Sequence, residues 1–552
     1  MKPTRFTQEQ MEEFVKEGYW GKPSISDLWD ENASKYPNKE ALADSKNRFT
    51  WAQAKLWFDR VALSLLGLGL KKDDVIVTQL PNICENMLIS HALEKAGLLG
   101  LPIQMTMRHK EMEYILTKTG AVGIVIVPFF HNFDYYQMAQ EVKESFPQLK
   151  YIFAVGDEVC EGAISVKKMA ETPLEEKYPA DHLVKTKQGP FDLNSLAMTS
   201  GTTGFPKFVE RANNSWITGH VDVERWKVTR DDVCAALAPV IGGPGGVVNR
   251  STAPHAGARV ILLERFEAEE ALKLIEKEKV TIASAVPAQM AMMVRHPNFD
   301  KYDYSSLRAF FYAGSVCPYP VAKEVEEKMG CHIIVDLGAI DCGTIASTSI
   351  DDPPEVRRTS VGKPYPGNVI KFVDEEGKEV PAGEIGEIVV KGAIFSSGYY
   401  QDPEATQRVW GQEGWEGWYH MGDLGKLDED GNLHIVGRAK DMIIRGGQNI
   451  YPIEVENMLV THPKVLNVAI VAMPDPVMVE KACAYVIPKP GQTFTFEEMS
   501  NFLLEKQMAK FKIPERLETV DSFPMSGDGQ KIIKGELTRM ATEKLKAEGK
   551  LS

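Results

Sequence analysis

The chain has 552 residues and a mass of 61.5 kDa, enough for two or more domains and a large core without a disulfide framework. Hydrophobic residues make up 43% and charged residues 25%, and 63 Lys and Arg against 77 Asp and Glu leave a net charge of −14. That balance excludes a protein whose affinity comes from neutralising nucleic-acid phosphates, although a few local donors still outweigh a diffuse negative field at a small-anion site. In chain order, apolar residues at helical spacing predict a helix over Lys55–Gly69, and the run Asp74–Leu80 predicts a buried strand closed by Pro81-Asn82. The alternation recurs as helix Glu85–Ala96 then strand Leu101–Gln104, and as helix Ala268–Glu278 then strand Thr281–Val286. Such alternation implies crossover units and largely parallel sheets. Between Phe372 and Gly392 the texture changes to short strands with turn signals. After Arg438 a new unit begins: helix Pro452–Leu459, strands Val465–Ala472 and Ala482–Pro488, and helix Phe496–Lys506. A charged amphipathic helix over Glu536–Glu548 ends the pattern. The expected fold is α/β: a large N-terminal domain of parallel sheets packed with helices plus a β-rich section, then a small C-terminal α+β domain, divided as 1–439 and 440–552.

Seven cysteines (Cys84, Cys160, Cys234, Cys317, Cys331, Cys342, Cys483) are scattered without a CxxC pair, which suits a reducing cytoplasm. The polar N-terminus MKPTRFTQEQ carries no apolar signal region, and no 18-residue uncharged apolar run is present, so neither export nor a membrane span is expected. Gly242 to Gly246 nearly spells a dinucleotide loop, but the pattern fails at Val248. His220, His255, His332, His420 and His434 show no metal-binding spacing.

The strongest local signal is Thr199-Ser200-Gly201-Thr202-Thr203-Gly204-Phe205-Pro206-Lys207. Glycines let backbone N–H groups approach an anion, hydroxyls add donors and the lysine supplies charge. A Walker A loop is excluded, because Pro206 precedes the lysine and Phe208 follows it. The competing reading is a solvated Ser/Thr-rich turn.

That segment resembles the phosphate loop of the adenylate-forming superfamily, which includes acyl-CoA synthetases, aryl acid–AMP ligases and luciferases. Further matches follow in the family's order across residues 45 to 540. Phe49-Thr50-Trp51 and Leu80-Pro81-Asn82 resemble its opening elements, and Tyr312-Ala313-Gly314-Ser315 the turn lying against adenine. Gly386-Glu387-Ile388 and Tyr419-His420-Met421-Gly422-Asp423 match later strands. Gly437-Arg438-Ala439-Lys440-Asp441 then runs on through Gly446-Gly447 to Pro452-Ile453-Glu454-Val455-Glu456.

The resemblance implies ATP as substrate, with the phosphate loop, Gly314, Ser315 and Asp336-Leu337-Gly338 around the nucleotide. It implies Asp423 on the ribose hydroxyls, with Arg438 as a charged donor nearby. The family's Mg²⁺-binding Glu follows an aromatic-Gly-x-Thr run; this chain has Leu337-Gly338-Ala339-Ile340-Asp341, so Asp341 is the expected ligand, one methylene shorter. Helix capping is the alternative role for Asp341. The family's catalytic lysine closes P-x-T-x-x-G-K, and here Pro524 to Lys531 carries one extra residue, Gln530. Lys534 keeps the second basic position, so the role aligns to Lys531; an exposed tail lysine is the alternative. Lys531 and Lys207 are the expected catalytic residues. The resemblance further implies that the C-terminal domain is mobile, turning about Lys440 and presenting Gly446-Gly447 to a pantetheine tunnel.

Where many relatives open the acyl pocket with Pro-x-x-His, this chain has Pro239-Val240-Ile241-Gly242. With Tyr312, Ala313, Ala339 and Ile340, that wall reads as roomy, apolar and without a charged partner, and favours a cyclic (aromatic or alicyclic) or medium-chain acid. Plain core packing of Val240 and Ile241 is the alternative. The expected activity is an AMP-forming acid–thiol ligase taking a small-molecule carboxylic acid, ATP and coenzyme A, in the cytoplasm, as monomer or homodimer. A carrier-protein thiol is the alternative acceptor; CoA is favoured because no carrier domain is attached. A third reading, a nucleotide-binding protein without turnover, rests on the departures at Leu337, Ile340, Met421, Val479 and Gln530.

Overall fold

The computed structural model describes the chain apart from residues 21–22, 158–159, 190, 200–205, 213–217, 527–530 and 552. Among the described residues the strands form two large sheets and two smaller ones, with one short two-stranded ribbon. The largest is nine-stranded, and its centre is parallel: Glu40–Ala43, Arg259–Leu262, Val233–Ala236, Ile282–Ala285, Ala309–Ala313 and His332–Ala339 lie side by side. The second is seven-stranded around Val75–Gln79, with Leu99–Pro102 and Gly123–Ile126 parallel to it. Every residue of Val75–Gln79 is buried, which is why it reads as a continuous apolar run rather than an alternating one.

Helices Ile25–Lys35, Trp51–Gly67 and Cys84–Lys95 share one core with strands of both sheets; Trp29, Trp51 and Trp226 are its largest members. Helix Trp51–Gly67 begins four residues before the sequence reading places it. Thr50 and Gln53 form a capping box that satisfies its first N–H groups, and Trp51 packs at once against Trp29. Helices Ala268–Glu278 and Pro452–Leu459 occupy their expected spans. Strand Leu99–Pro102 starts two residues early and ends at its proline. The β-rich section is a five-stranded antiparallel sheet that includes Asn368–Val373, Gly386–Gly392, Tyr419–Leu427 and Leu433–Arg438. The C-terminal domain has its own five-stranded sheet around Val465–Asp475 and Val479–Pro488. Helix Lys534–Ala547 packs on that sheet through Leu537, Ala541 and Leu545. No described helix is long and apolar enough to cross a membrane. All seven cysteines are free thiols.

One departure acquires a physical cost here. The hairpin joining the two long C-terminal strands is tied by Asp475 Oδ1, which accepts from the N–H groups of Val477 (3.0 Å) and Met478 (2.8 Å). Val479 follows with φ of 68° and is 69% exposed. A β-branched side chain in the left-handed region costs about 1–2 kcal/mol, and its exposure returns little burial. Val479→Gly is therefore expected to stabilise the C-terminal domain by about 1 kcal/mol, net of the entropy glycine adds to the unfolded chain. Scanning calorimetry reads this as a raised midpoint; an unchanged or lower one refutes the strain.

Candidate active site

The phosphate-loop segment joins strands Leu193–Met198 and Phe208–Ala212, an antiparallel hairpin at the edge of the seven-stranded sheet. Its base is closed twice: Thr199 N–H donates to Lys207 O (3.0 Å), and Lys207 N–H donates to Thr199 Oγ1 (3.0 Å). Tyr114 Oη donates to Pro206 O at 2.8 Å and steadies the same end. Ser200, Gly201, Thr202, Thr203 and Gly204 lie outside the described residues. Lys207 leaves the loop base and faces Tyr399, with Nζ 3.4 Å from the phenol oxygen and 4.4 Å from the ring centroid. That phenol donates to Asp341 Oδ1 at 2.5 Å. Burial first, then Asp341, push the Tyr399 phenol far above its ordinary pKa, so it stays a donor. Ser396 Oγ holds the Asp341 carbonyl, and Arg211 donates to Ile340 O at 2.6 Å. A lysine, a tyrosine and a carboxylate thus stand as one unit.

Opposite them, Asp423 and Arg438 are register partners on the strands Tyr419–Leu427 and Leu433–Arg438, with Arg438 Nε 2.7 Å from Asp423 Oδ1. Asp423 is 8% exposed, and burial raises its pKa while Arg438 and Lys531 pull it down. Glu387 braces the approach: Oε1 accepts from Gly422 N–H (3.0 Å) and Oε2 pairs with His420 Nδ1 (3.2 Å). Gly422 has φ of 70°, the conformation that makes a glycine useful at this bend.

Lys531 reaches the same cleft from the C-terminal domain. Ser526 N–H donates to Lys531 O (2.7 Å), Lys531 N–H to Ser526 Oγ (2.9 Å), and Met525 bridges to Ile532. Gln530, the extra residue, lies outside the described residues. Lys534 pairs with Glu456 at 2.6 Å and fixes the segment to helix Pro452–Leu459.

One large cleft brings most of the expected residues together. Lys207, Lys531, Arg438, Asp423, Asp341 and Lys440 line it, as do Thr199, Gly314, Ser315 and the stretch from Asp336 through Ile340. Pro239, Ile241, Gly242, Tyr312 and Ala313, the residues expected to meet the acid, line it as well. Val240 does not join them: it is 0% exposed in the core, its N–H donates to Asn82 Oδ1 (2.9 Å), and its carbonyl accepts from Arg250 Nε (2.7 Å). Gly446 and Gly447 lie outside the lining, on an exposed turn with φ of 56° and 83°. Two successive positive φ angles give that turn its own need for glycine. Sequence reasoning missed Tyr399, Arg211 and the buried Asp222. They lie far along the chain from the residues they serve, and no spacing marks them.

Among the described residues no group of three His, Cys, Asp or Glu could hold a metal. Mg²⁺ needs no such group, because one carboxylate with phosphate and water completes its shell. Asp341, joined to Lys207 through the Tyr399 phenol and lining the cleft, has a carboxylate that fits this requirement.

A cleft with cations from two domains and a carboxylate–arginine pair is suited to a polyanionic ligand that also offers hydroxyl donors. The AMP-binding enzyme family matches residues 29–400 and its C-terminal domain matches 454–530, and the chain belongs to this family of adenylate-forming, ATP-dependent ligases. The chain is 31% identical to the 2,3-dihydroxybenzoate-AMP ligase of Bacillus subtilis, covering 99% of this chain and 98% of that one. It is 30% identical to the medium-chain fatty-acid–CoA ligase of Escherichia coli, covering 95% and 92%. The crystal structure of the anthranilate CoA ligase AuaEII with anthranoyl-AMP superposes with a TM-score of 0.85 at 27% identity, covering 95% of this chain and 98% of that one.

Tyr399→Phe keeps the ring under Lys207 but removes the hydrogen bond to Asp341. It is expected to lower kcat/KM for ATP about tenfold in pyrophosphate exchange, the worth of one buried hydrogen bond to a charged group. An unchanged value removes Tyr399 from the working site.

Proposed function

We propose that this ligase converts a carboxylic acid to its acyl adenylate and then to its CoA thioester, the acid being cyclic (aromatic or alicyclic) or medium-chain. The observation that carries the reading is Lys207 and Lys531 lining one cleft with the Asp423–Arg438 pair. A carboxylate acylates poorly because oxide is a poor leaving group. Attack of its oxygen on the α-phosphorus of ATP forms the acyl–phosphate bond and expels pyrophosphate. A thiolate then attacks the acyl carbon and expels AMP.

The first step drives an anion toward a polyanion, so fixed positive charge at the reacting oxygens is its main need. Lys531 bridges the acid carboxylate and the α-phosphate, Lys207 faces the departing pyrophosphate, and Asp423 accepts the ribose hydroxyls. Asp341 would hold Mg²⁺, which when bound adds charge against the phosphate oxygens. For the second step Lys531 has to leave. A boundary at 439/440, with Lys440 as hinge, lets the C-terminal domain turn and bring Gly446-Gly447 to the incoming thiol. CoA as acceptor is supported by relatives named as CoA ligases. A carrier-protein thiol is the second reading, favoured by the relative named as an AMP ligase. The free thiols support a cytoplasmic setting.

The test is acid-dependent ATP–pyrophosphate exchange without CoA over aromatic, alicyclic, straight-chain and short acids. Exchange with a cyclic or medium-chain member is expected; silence across the panel with ATP binding intact overturns the reading. Lys531→Ala is expected to slow adenylation by several kcal/mol of lost charge stabilisation, roughly a thousandfold, yet to spare thioester formation from a supplied acyl adenylate. Equal damage to both half-reactions defeats the assignment.

A further inference from the structure

Asp336 sits in the nine-stranded sheet between Ala313 and Ser347, its register partners, and is 4% exposed. Its neighbours Leu337 and Gly338 line the cleft with it. The charged groups nearest it are Asp222 and Arg225, both on helix Gly219–Arg225. Asp222 is fully partnered: Tyr365 Oη donates to Oδ1 at 2.5 Å and Thr252 Oγ1 to Oδ2 at 3.0 Å. Thr252 closes the π-helical turn Val247–Thr252, which continues the acid-side segment beginning at Pro239. Arg225 spends its guanidinium on the carbonyls of Ser347, Lys363 and Pro364.

Asp336 itself has no such partner. Its Oδ1 is buried without a hydrogen bond, although the residue lines the cleft together with Thr218 and Val247. The cleft, whose acid wall the sequence presents as apolar, therefore has a buried carboxyl in its lining. Burial first and Asp222 second push its pKa well above the carboxylate range. Leaving such a group unmatched costs on the order of 1–3 kcal/mol, a cost that a purely hydrocarbon acyl group does nothing to relieve.

Building on the adenylation reading, we propose that the acyl group carries a hydrogen-bond donor, an amino or hydroxyl substituent, and that the Asp336 carboxyl receives it and sets the choice of acid. A site built to bond such a donor rejects the analogue that lacks it far more strongly than an apolar wall rejects a change of size. An ammonium group also brings a positive charge that favours the ionised form of Asp336, which a hydroxyl does not.

The test uses the full chain and pyrophosphate exchange with matched acids: benzoate against its amino and hydroxy derivatives, and cyclohexanecarboxylate against its own. Wild type is expected to prefer a donor-bearing member by about tenfold or more in kcat/KM, with the amino and hydroxy arms telling the two donors apart. Asp336→Leu is expected to bring that ratio to about one, and Asp336→Asn to retain part of a hydroxyl preference but none for an amine. A merely structural role lowers both members of a pair together and leaves their ratio alone. Equal ratios in wild type and the Leu variant overturn the inference. If no acid supports exchange, the adenylation reading falls, and binding decides this one alone. The donor-bearing acid should then raise the wild-type thermal midpoint more than its unsubstituted partner, a difference that Asp336→Leu abolishes. No difference overturns it.

Discussion

Forcing one anion against another inside a protein of net charge −14 is the constraint from which the rest of this structure follows. A field that is negative overall cannot help, so positive charge has to be fixed within contact distance of the reacting oxygens. Three cations in the cleft, Lys207, Arg438 and Lys531, are held by something rigid. Lys207 starts a strand whose loop is closed at its base by Thr199, and the Tyr399 ring confines its side chain. Arg438 ends a strand whose neighbour carries Asp423. Lys531 stands at a bridged turn anchored through Lys534 to Glu456. The sheets matter to the chemistry mainly because they hold these ends apart and aim them inward.

How much of this could be read from the chain alone depended on distance along it. Helix Ala268–Glu278 was legible to the residue, because its apolar side recurs at helical spacing and acidic residues fill its first turn. Helix Pro452–Leu459 was marked by proline at its start. The start of helix Trp51–Gly67 was not, since its signal is the Thr50–Gln53 box rather than an apolar repeat. Motifs confined to a few residues placed Lys207, Asp423 and Arg438 in one cleft. Tyr399 escaped, lying 58 residues from Asp341 in a connection without periodicity.

Side-chain direction was the other thing the sequence could not supply. Val240 and Ile241 are neighbours of similar size and polarity, yet one enters the core and the other the cleft. The division is made by Asn82 and Arg250, which hold both main-chain polar groups of Val240. Asp336 shows the same gap: alternation along a strand turns successive side chains to opposite faces, so the motif marks the residue's place in the strand but not the surroundings of its carboxyl.

The Asp423–Arg438 pair has one more effect, on turnover. On the proposed role of Asp423 at the ribose, a nucleotide competes for the carboxylate oxygen that Arg438 Nε approaches at 2.7 Å. That competition weakens ATP and AMP by the same amount, because both carry the same ribose. Loss of uniform binding leaves the barrier between bound states untouched. What it changes is residence: AMP departs faster when a partner inside the protein is ready to take its place. On that reading the ion pair trades nucleotide affinity for a site that clears itself after each cycle.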